Sequence, residues 1–213
     1  VKQIFIKKGQ AVVQEVPVPQ ISKDELLVKV SYSCLSVGTE MSSVRSTGVP
    51  IWKRALKQPE QVKAVLGLLS SKGLSQTLKI IETQKEKSYP TGYSVSGIVE
   101  EVGSDVVDIK IGDSVSCAGA NYAYHADYIR VSRNLCVPIS GDFDKKAAST
   151  VTLGAIALQG VRRANPTLGE TFVVVGLGIL GQLTAQLLKI NGCQVIGIDL
   201  DPSRITLAEK DGM

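Results

Sequence analysis

Residues 171–181 read TFVVVGLGILG, and residues 194–199 read QVIGID. The first stretch carries a run of branched apolar residues into Gly176-x-Gly178-x-x-Gly181, and the second closes an apolar run on Asp199. Strand, glycine turn, helix, strand and acid in that order are the signature of a turn that seats the phosphates of a dinucleotide. Val173 to Val175 read as a strand buried on both faces, and Gly176 lets the chain turn sharply off its end. Gly178 leaves bare backbone, so that with Leu177, Ile179 and Leu180 it offers N–H groups and partial positive charge to a pyrophosphate. Gly181 lets the following helix lie close on the strand. Leu180, Leu183, Leu187 and Leu188 repeat at helical spacing until Asn191-Gly192 stops the helix. Asp199, followed by Leu200, is placed to accept from adenosine ribose hydroxyls and to repel a 2′-phosphate, which favours NAD over NADP. Arg204, near the start of a helix-like segment from Pro202 to Lys210, flanks the same ribose; reaching a 2′-phosphate instead, it would admit NADP. The bland alternative is a turn of this type that binds nothing.

Working outward, 213 residues with 44% hydrophobic and 21% charged content leave room for one large domain or two smaller ones. No stretch of about 18 uninterrupted apolar residues is present, and Ile4 and Ile6 alternate with polar residues where a signal core would lie. The expectation is a cytoplasmic protein without a membrane span. Cys34, Cys117, Cys136 and Cys193 lie far apart with no C-x-x-C pair, which fits reduced, partly buried thiols and neither a disulfide framework nor a clustered zinc lobe. The sequence starts at Val1, stops at Met213, and supplies only two strands of a sheet that typically needs about six. It reads as a fragment lacking the half that would hold the nicotinamide.

From Lys2 to about Pro138 short apolar runs alternate with turn signals. Lys2–Lys8, Ala11–Val16, Leu26–Tyr32, Ser94–Val102, Ser114–Cys117 and Tyr128–Val131 are separated by Gly9, Pro17, Pro19, Gly103, Gly112-Asp113 and Gly119. That is a β body. An apolar stretch from Ala147 to Ala164, broken by Asn165-Pro166, reads as a buried helix bridging into the nucleotide-binding unit. Interrupting the β body, residues 43–88 read as two helices, and they carry nine basic and three acidic residues, a net +6 against +4 for the whole chain. Such a basic pair is a solvated cover or subunit contact, or an attractor of an anionic substrate. Nucleic acid is the least supported partner, because no aromatic residues interleave with the charges.

The text from Val28 to Glu40 (VKVSYSCLSVGTE), Gly92 to Gly103 (GYSVSGIVEEVG), Gly112 to Val115, Ala126 to Tyr128 and Ala147 to Asp199 resembles the medium-chain dehydrogenase/reductase superfamily, the zinc-type alcohol dehydrogenases and their zinc-free quinone reductase relatives. The resemblance implies an α/β plus β architecture. A GroES-like β domain over residues 1–140, holding the helical insertion near 43–88, would precede a truncated Rossmann domain, a doubly wound parallel sheet, over 141–213. It also implies hydride transfer to or from NAD(P), with a carbonyl, an alcohol or an activated alkene. The places of the family's zinc ligands hold Ser36, Tyr93-Ser94 and Thr152. Neutral hydroxyls are poor zinc ligands, so no metal is expected.

Without a metal, charge developing on the substrate oxygen must be met by hydrogen-bond donors or a general acid. The candidates are Tyr93, Ser36 and Thr39, with Glu40 as base or orienting group; alternatively Thr39-Glu40 only caps a helical segment and Tyr93 is a half-buried aromatic. Thr152 is counted with the cofactor residues. His125, the sole histidine, sits before a strand and reads more readily as a surface or turn residue than as a proton relay. The Ser36-to-Glu40 text and the insertion look most like a bacterial subgroup often fused to a second oxidoreductase domain. This suggests a small sugar or sugar-nucleotide substrate, a fused or associated second oxidoreductase domain, and a homo-oligomer. A silent NAD(H)-binding module is the competing reading.

Overall fold

The computed structural model describes residues 1–7, 9–38, 40, 73 and 88–213. Thr39 and nearly all of the expected basic insertion lie outside the described residues. The β body contains two antiparallel sheets. In one, β1 (Lys2–Lys7) lies between β2 (Gln10–Glu15) and β4 (Tyr89–Pro90). In the other, β3 (Glu25–Ser33), β5 (Ser94–Val102), β6 (Ser114–Ala118), β7 (Tyr128–Ser132) and β8 (Cys136–Pro138) run in the order β7-β3-β5-β6-β8. Leu26 and Val28 of β3, Val95 and Val99 of β5, and Ile129 and Val131 of β7 all point into one core, with Val115 of β6 among them. Their even spacing follows from strand side chains alternating between faces. Each such burial contributes roughly 1.5–3 kcal/mol. Strands β4 and β8 are short and start or end on proline, which leaves too little alternation to read from sequence.

The stretch expected to be one helix is two: α1 (Lys145–Ala148) and α2 (Val151–Ala164). The break lies where two hydroxyls compete for the main chain, Ser149 Oγ donating to the Lys146 carbonyl and Thr150 Oγ1 to the Ala147 carbonyl. The β body reinforces the break from outside. Ser96 donates to the Lys145 carbonyl, Ser116 to that of Ala148 at 2.7 Å, and Ser94 to that of Ser149 at 2.6 Å. A helix turn is thereby fastened to β5 and β6 through three serine hydroxyls, all on buried residues.

Beyond α2, which ends at left-handed Asn165 ahead of Pro166, β9 (Thr171–Val175) and β10 (Gln194–Ile198) pair in parallel across α3 (Ile179–Ile190), and α4 (Pro202–Lys210) follows. Val161, Leu188 and Cys193 pack with Phe172, Val174 and Val195 on one face of this small sheet. The opposite face departs from expectation: Val173 is 56% and Val175 80% exposed, so β9 is buried on one face only. Every second valine meets α2 and α3, whereas nothing among the described residues covers the others. The leucine stripe of α3 is also corrected. The residues buried there are Gln182, Ala185 and Leu188, while Leu180 is exposed. No helix among the described residues is long and apolar enough to cross a membrane.

Removing the Ser116 hydroxyl strands a buried carbonyl without adding a steric problem. Ser116→Ala should cost about 1–3 kcal/mol, read as a lower denaturant midpoint at unchanged slope.

Candidate functional site

At the end of β9 the chain leaves the sheet through Gly176, whose φ of +92° lies in the region that side chains avoid. A Cβ on Gly181 would overlap the Gly176 carbonyl oxygen, so the first turn of α3 packs against the turn at backbone distance. Gly178 differs: nothing lies within 4 Å of where its Cβ would be. Its extended backbone caps α3 with no side-chain hydrogen bond, and the first helical bond runs from the Gln182 N–H to the Gly178 carbonyl. The N–H groups of the first turn are therefore left for an external acceptor, with the helix dipole behind them. Helix α4 shows the contrast, since Asp201 caps it by accepting from the Ser203 N–H.

Asp199 stands at the end of β10 beside this turn. Its Oδ1 accepts from the Asp201 N–H at 2.9 Å and its Oδ2 from the Leu177 N–H at 2.6 Å, with Arg204 Nη1 at 3.5 Å from Oδ2. These backbone donors, first that of Asp201 and then that of Leu177, hold the carboxyl below its ordinary pKa. Arg204 also reaches Asp201 at 3.4 Å. The Leu177 side chain is buried, whereas those of Ile179, Leu180 and Leu200 are exposed. Thr152 is not part of this turn. Its hydroxyl donates to the Tyr93 carbonyl at 3.3 Å and its N–H to Ser94 Oγ at 3.3 Å, which places it at the seam between β5 and α2.

The residues at the places of zinc ligands do not make a metal donor set. Ser94 is fully buried and spends its hydroxyl hydrogen on the Ser149 carbonyl, and Thr152 spends its own on Tyr93. Ser36 is a neutral hydroxyl. Among the described residues no group of three or more His, Cys, Asp or Glu is gathered as a metal site.

Glu40 occupies a built setting of a different kind. Its Oε1 accepts from the Ser36 N–H at 2.9 Å, and its Oε2 accepts from Thr91 Oγ1 at 2.9 Å and lies 2.9 Å from His125 Nε2. The same carboxylate thus joins the Ser36 segment to two distant loops, and the segment after Glu40 that it was expected to cap lies outside the described residues. His125 lies in a bend ahead of β7, as read, but is only 6% exposed, which corrects the expectation that it sits at the surface. Main-chain bonds complete the knot: Ile4 N–H to the His125 carbonyl, His125 N–H to Thr91, and Thr91 N–H to Ile4. Cys34 lies near enough that its thiol is pushed above the ordinary range, by burial first and then by the Glu40 charge. Tyr93 follows Thr91 by two residues, and its hydroxyl makes no hydrogen bond among the described residues. Sequence reading missed Thr91 and Gln182. Gln182 carried a signal, a polar residue three before Ala185 and six before Leu188 on the buried stripe.

No family model matches the chain. It is 34% identical over 125 residues to D-guloside 3-dehydrogenase of Escherichia coli, covering 58% of this chain and 35% of that protein. It is 26% identical to L-threonine 3-dehydrogenase of Bacillus subtilis over 99% of this chain and 60% of that one. Galactitol-1-phosphate dehydrogenase from Escherichia coli superposes with a TM-score of 0.75 at 20% identity, over 100% of this chain and 59% of that chain. The quinone oxidoreductase of Escherichia coli, solved with NADPH, gives 0.72 at 16% identity, over 100% of this chain and 56% of that one. The chain thus spans about a third to three fifths of these relatives' length. They are dehydrogenases and reductases of the medium-chain type, and the fold they share is the GroES-like β body joined to a Rossmann unit.

Glu40→Ala would leave the Ser36 N–H, the Thr91 hydroxyl and the His125 ring without their acceptor. A loss of about 2–4 kcal/mol is expected in chemical unfolding, with a smaller loss for Glu40→Gln.

Proposed function

We propose that this chain, which shares its fold and its sequence relatives with the medium-chain dehydrogenase/reductase superfamily, is the substrate-binding and phosphate-binding part of a nicotinamide-dependent oxidoreductase that works without zinc. One observation carries the cofactor reading: the uncapped first turn of α3, opened by Gly178 and flanked by an ionised Asp199. The N–H groups of Ile179 and Leu180 would receive the pyrophosphate, and Asp199 the adenosine ribose. The two backbone donors already on Asp199 keep it ionised, and its charge disfavours a 2′-phosphate, so NAD(H) is the preferred partner.

When bound, the nicotinamide ring supplies the site for hydride gain or loss. The chain's own task is then to hold the substrate oxygen and manage its charge. Hydroxyls and amides replace a Lewis acid in this reading, because Ser94 and Thr152 donate to main-chain carbonyls and Ser36 is neutral. Tyr93, Ser36 and Thr39 are the proposed donors to substrate. Glu40 acts as the orienting group for the Ser36 segment rather than as a free base, since three donors converge on its carboxylate. The relatives' names point to a sugar, polyol or related alcohol as substrate. We place the protein in the cytoplasm, consistent with four free, buried cysteines. A homo-oligomer and a fused or associated second oxidoreductase domain are part of the same proposal.

The silent-module reading has one observation in its favour, the commitment of the Ser94 and Thr152 hydroxyls to main-chain partners. Turnover assays of the complete protein with polyols, aldoses and nucleotide sugars separate the two: NADH binding without turnover of any of them supports the module.

Gly178→Ala should fold normally, since its Cβ meets open space, yet lower NADH affinity at least about tenfold by filling the phosphate approach; titration of NADH fluorescence measures it. Asp199 has a folded-state pKa below its unfolded value, so its interactions persist at and above mildly acid pH and are lost only as pH falls through the folded pKa, below about 4. NADH affinity should therefore hold steady between about pH 5 and 8 in Asp199-dependent terms, and Asp199→Asn should weaken NADH more than NADPH.

A further inference from the structure

We infer that Gln182 is a positioning residue that sets which nicotinamide dinucleotide the turn prefers, an inference that rests on the cofactor reading above. Its side chain is buried, and its Nε2 donates at 3.2 Å to the Leu177 carbonyl and at 2.9 Å to the Arg204 carbonyl. Those acceptors belong to different elements, the glycine turn and the first turn of α4. The other faces of the same two residues meet at Asp199, which accepts from the Leu177 N–H and from the Arg204 guanidinium. The bonds close into a ring: Gln182, Leu177, Asp199, Arg204 and back to Gln182.

The Gln182 Oε1 is the one buried side-chain polar atom without a hydrogen-bond partner among the described residues. Turning the amide over would set that oxygen against two carbonyls and strand both N–H groups, so the chemistry of its neighbours assigns the orientation. An unpartnered buried acceptor is a standing cost that a leucine or methionine here would not carry. What the amide provides in exchange is two donors, and both act on cofactor-binding segments.

The consequence for selectivity follows from the ring. Asp199 Oδ2 already holds the short Leu177 bond, and the 3.5 Å contact to Arg204 is the weak link. Gln182 anchors the Arg204 main chain, so the guanidinium stays engaged with Asp199 and Asp201 and is not free to turn onto a 2′-phosphate. With that anchor gone, the first turn of α4 is free to shift, Arg204 can follow a 2′-phosphate outward, and the Leu177 peptide loosens its hold on Asp199.

The test uses the complete protein with Gln182→Met, matched in length, and Gln182→Leu as a second variant should the first fold poorly; thermal melts confirm that each is folded. Loss of this anchoring is expected to lower NADH affinity about five- to tenfold. The same variants should lose less affinity for NADPH, lowering the NADH-over-NADPH preference at least about threefold. Equal losses for both nucleotides, or no change for either, would overturn the inference while leaving the cofactor site standing. Wild-type protein that binds neither nucleotide would overturn the cofactor reading itself, and this inference with it.

Discussion

The main chain of Leu177 is gripped on both sides of its α-carbon, its N–H by Asp199 and its C=O by Gln182, and the glycine turn is organised around that grip. Gly176 turns the backbone into position and Gly181 permits the close approach, but neither residue supplies a bond that holds the turn open toward an anion. The carboxylate and the amide do so. They reach the turn from the end of β10 and from α3 respectively, so the turn takes this shape only once both strands of the small parallel sheet and its helix have docked. Local glycine flexibility, which on its own would cost conformational entropy, becomes a fixed concavity through long-range polar contacts.

The β body solves a similar problem with Glu40. Segments around residues 36, 91 and 125 are far apart in the chain, and a shared carboxyl group joins them. The Ser36 N–H, the Thr91 hydroxyl and the His125 ring all meet that one carboxyl group. They also make the arrangement redundant, because any one donor withdrawn leaves the others to position the same carboxyl group. Tyr93 and Ser36, the proposed substrate donors, sit at the ends of segments fixed by this knot. On the proposed reading the knot would serve the chemistry by position, holding the Ser36 backbone and the segment that leads into Tyr93.

Much of the fold was legible because its strongest signals are local. The runs 171–175, 194–198 and 202–210 are bounded by glycine, aspartate and proline, and their limits in the structure match those read from the text. What misled was anything decided by a partner far along the chain. Val173 and Val175 look like core residues in a row of valines, and only the presence or absence of a covering layer decides their burial. His125 looks like a turn residue because its neighbours are Tyr124, Ala126 and Asp127; its burial comes from Glu40, 85 residues away. The split between α1 and α2 was likewise hidden. Ser149 and Thr150 are only mildly unfavourable in a helix, and the serine hydroxyls of β5 and β6 tip the balance.

Those same serines bear on how the β body is held to the helices that follow it. Ser94 and Thr152 occupy places where the resemblance puts metal ligands, one on β5 and one on the first turn of α2. In this chain they bond to each other and to adjoining carbonyls, so β5 is stitched to α2 at that point. Each neutral bond contributes only about 1 kcal/mol net, far less than a metal would. The seam is consequently strong in number rather than in any single link, with Ser96 and Ser116 fastening α1 alongside. A seam of several weak bonds yields more readily than a coordinated ion. On the proposed zinc-free reading, charge on a substrate oxygen would fall to hydroxyls and main-chain amides instead of to a metal.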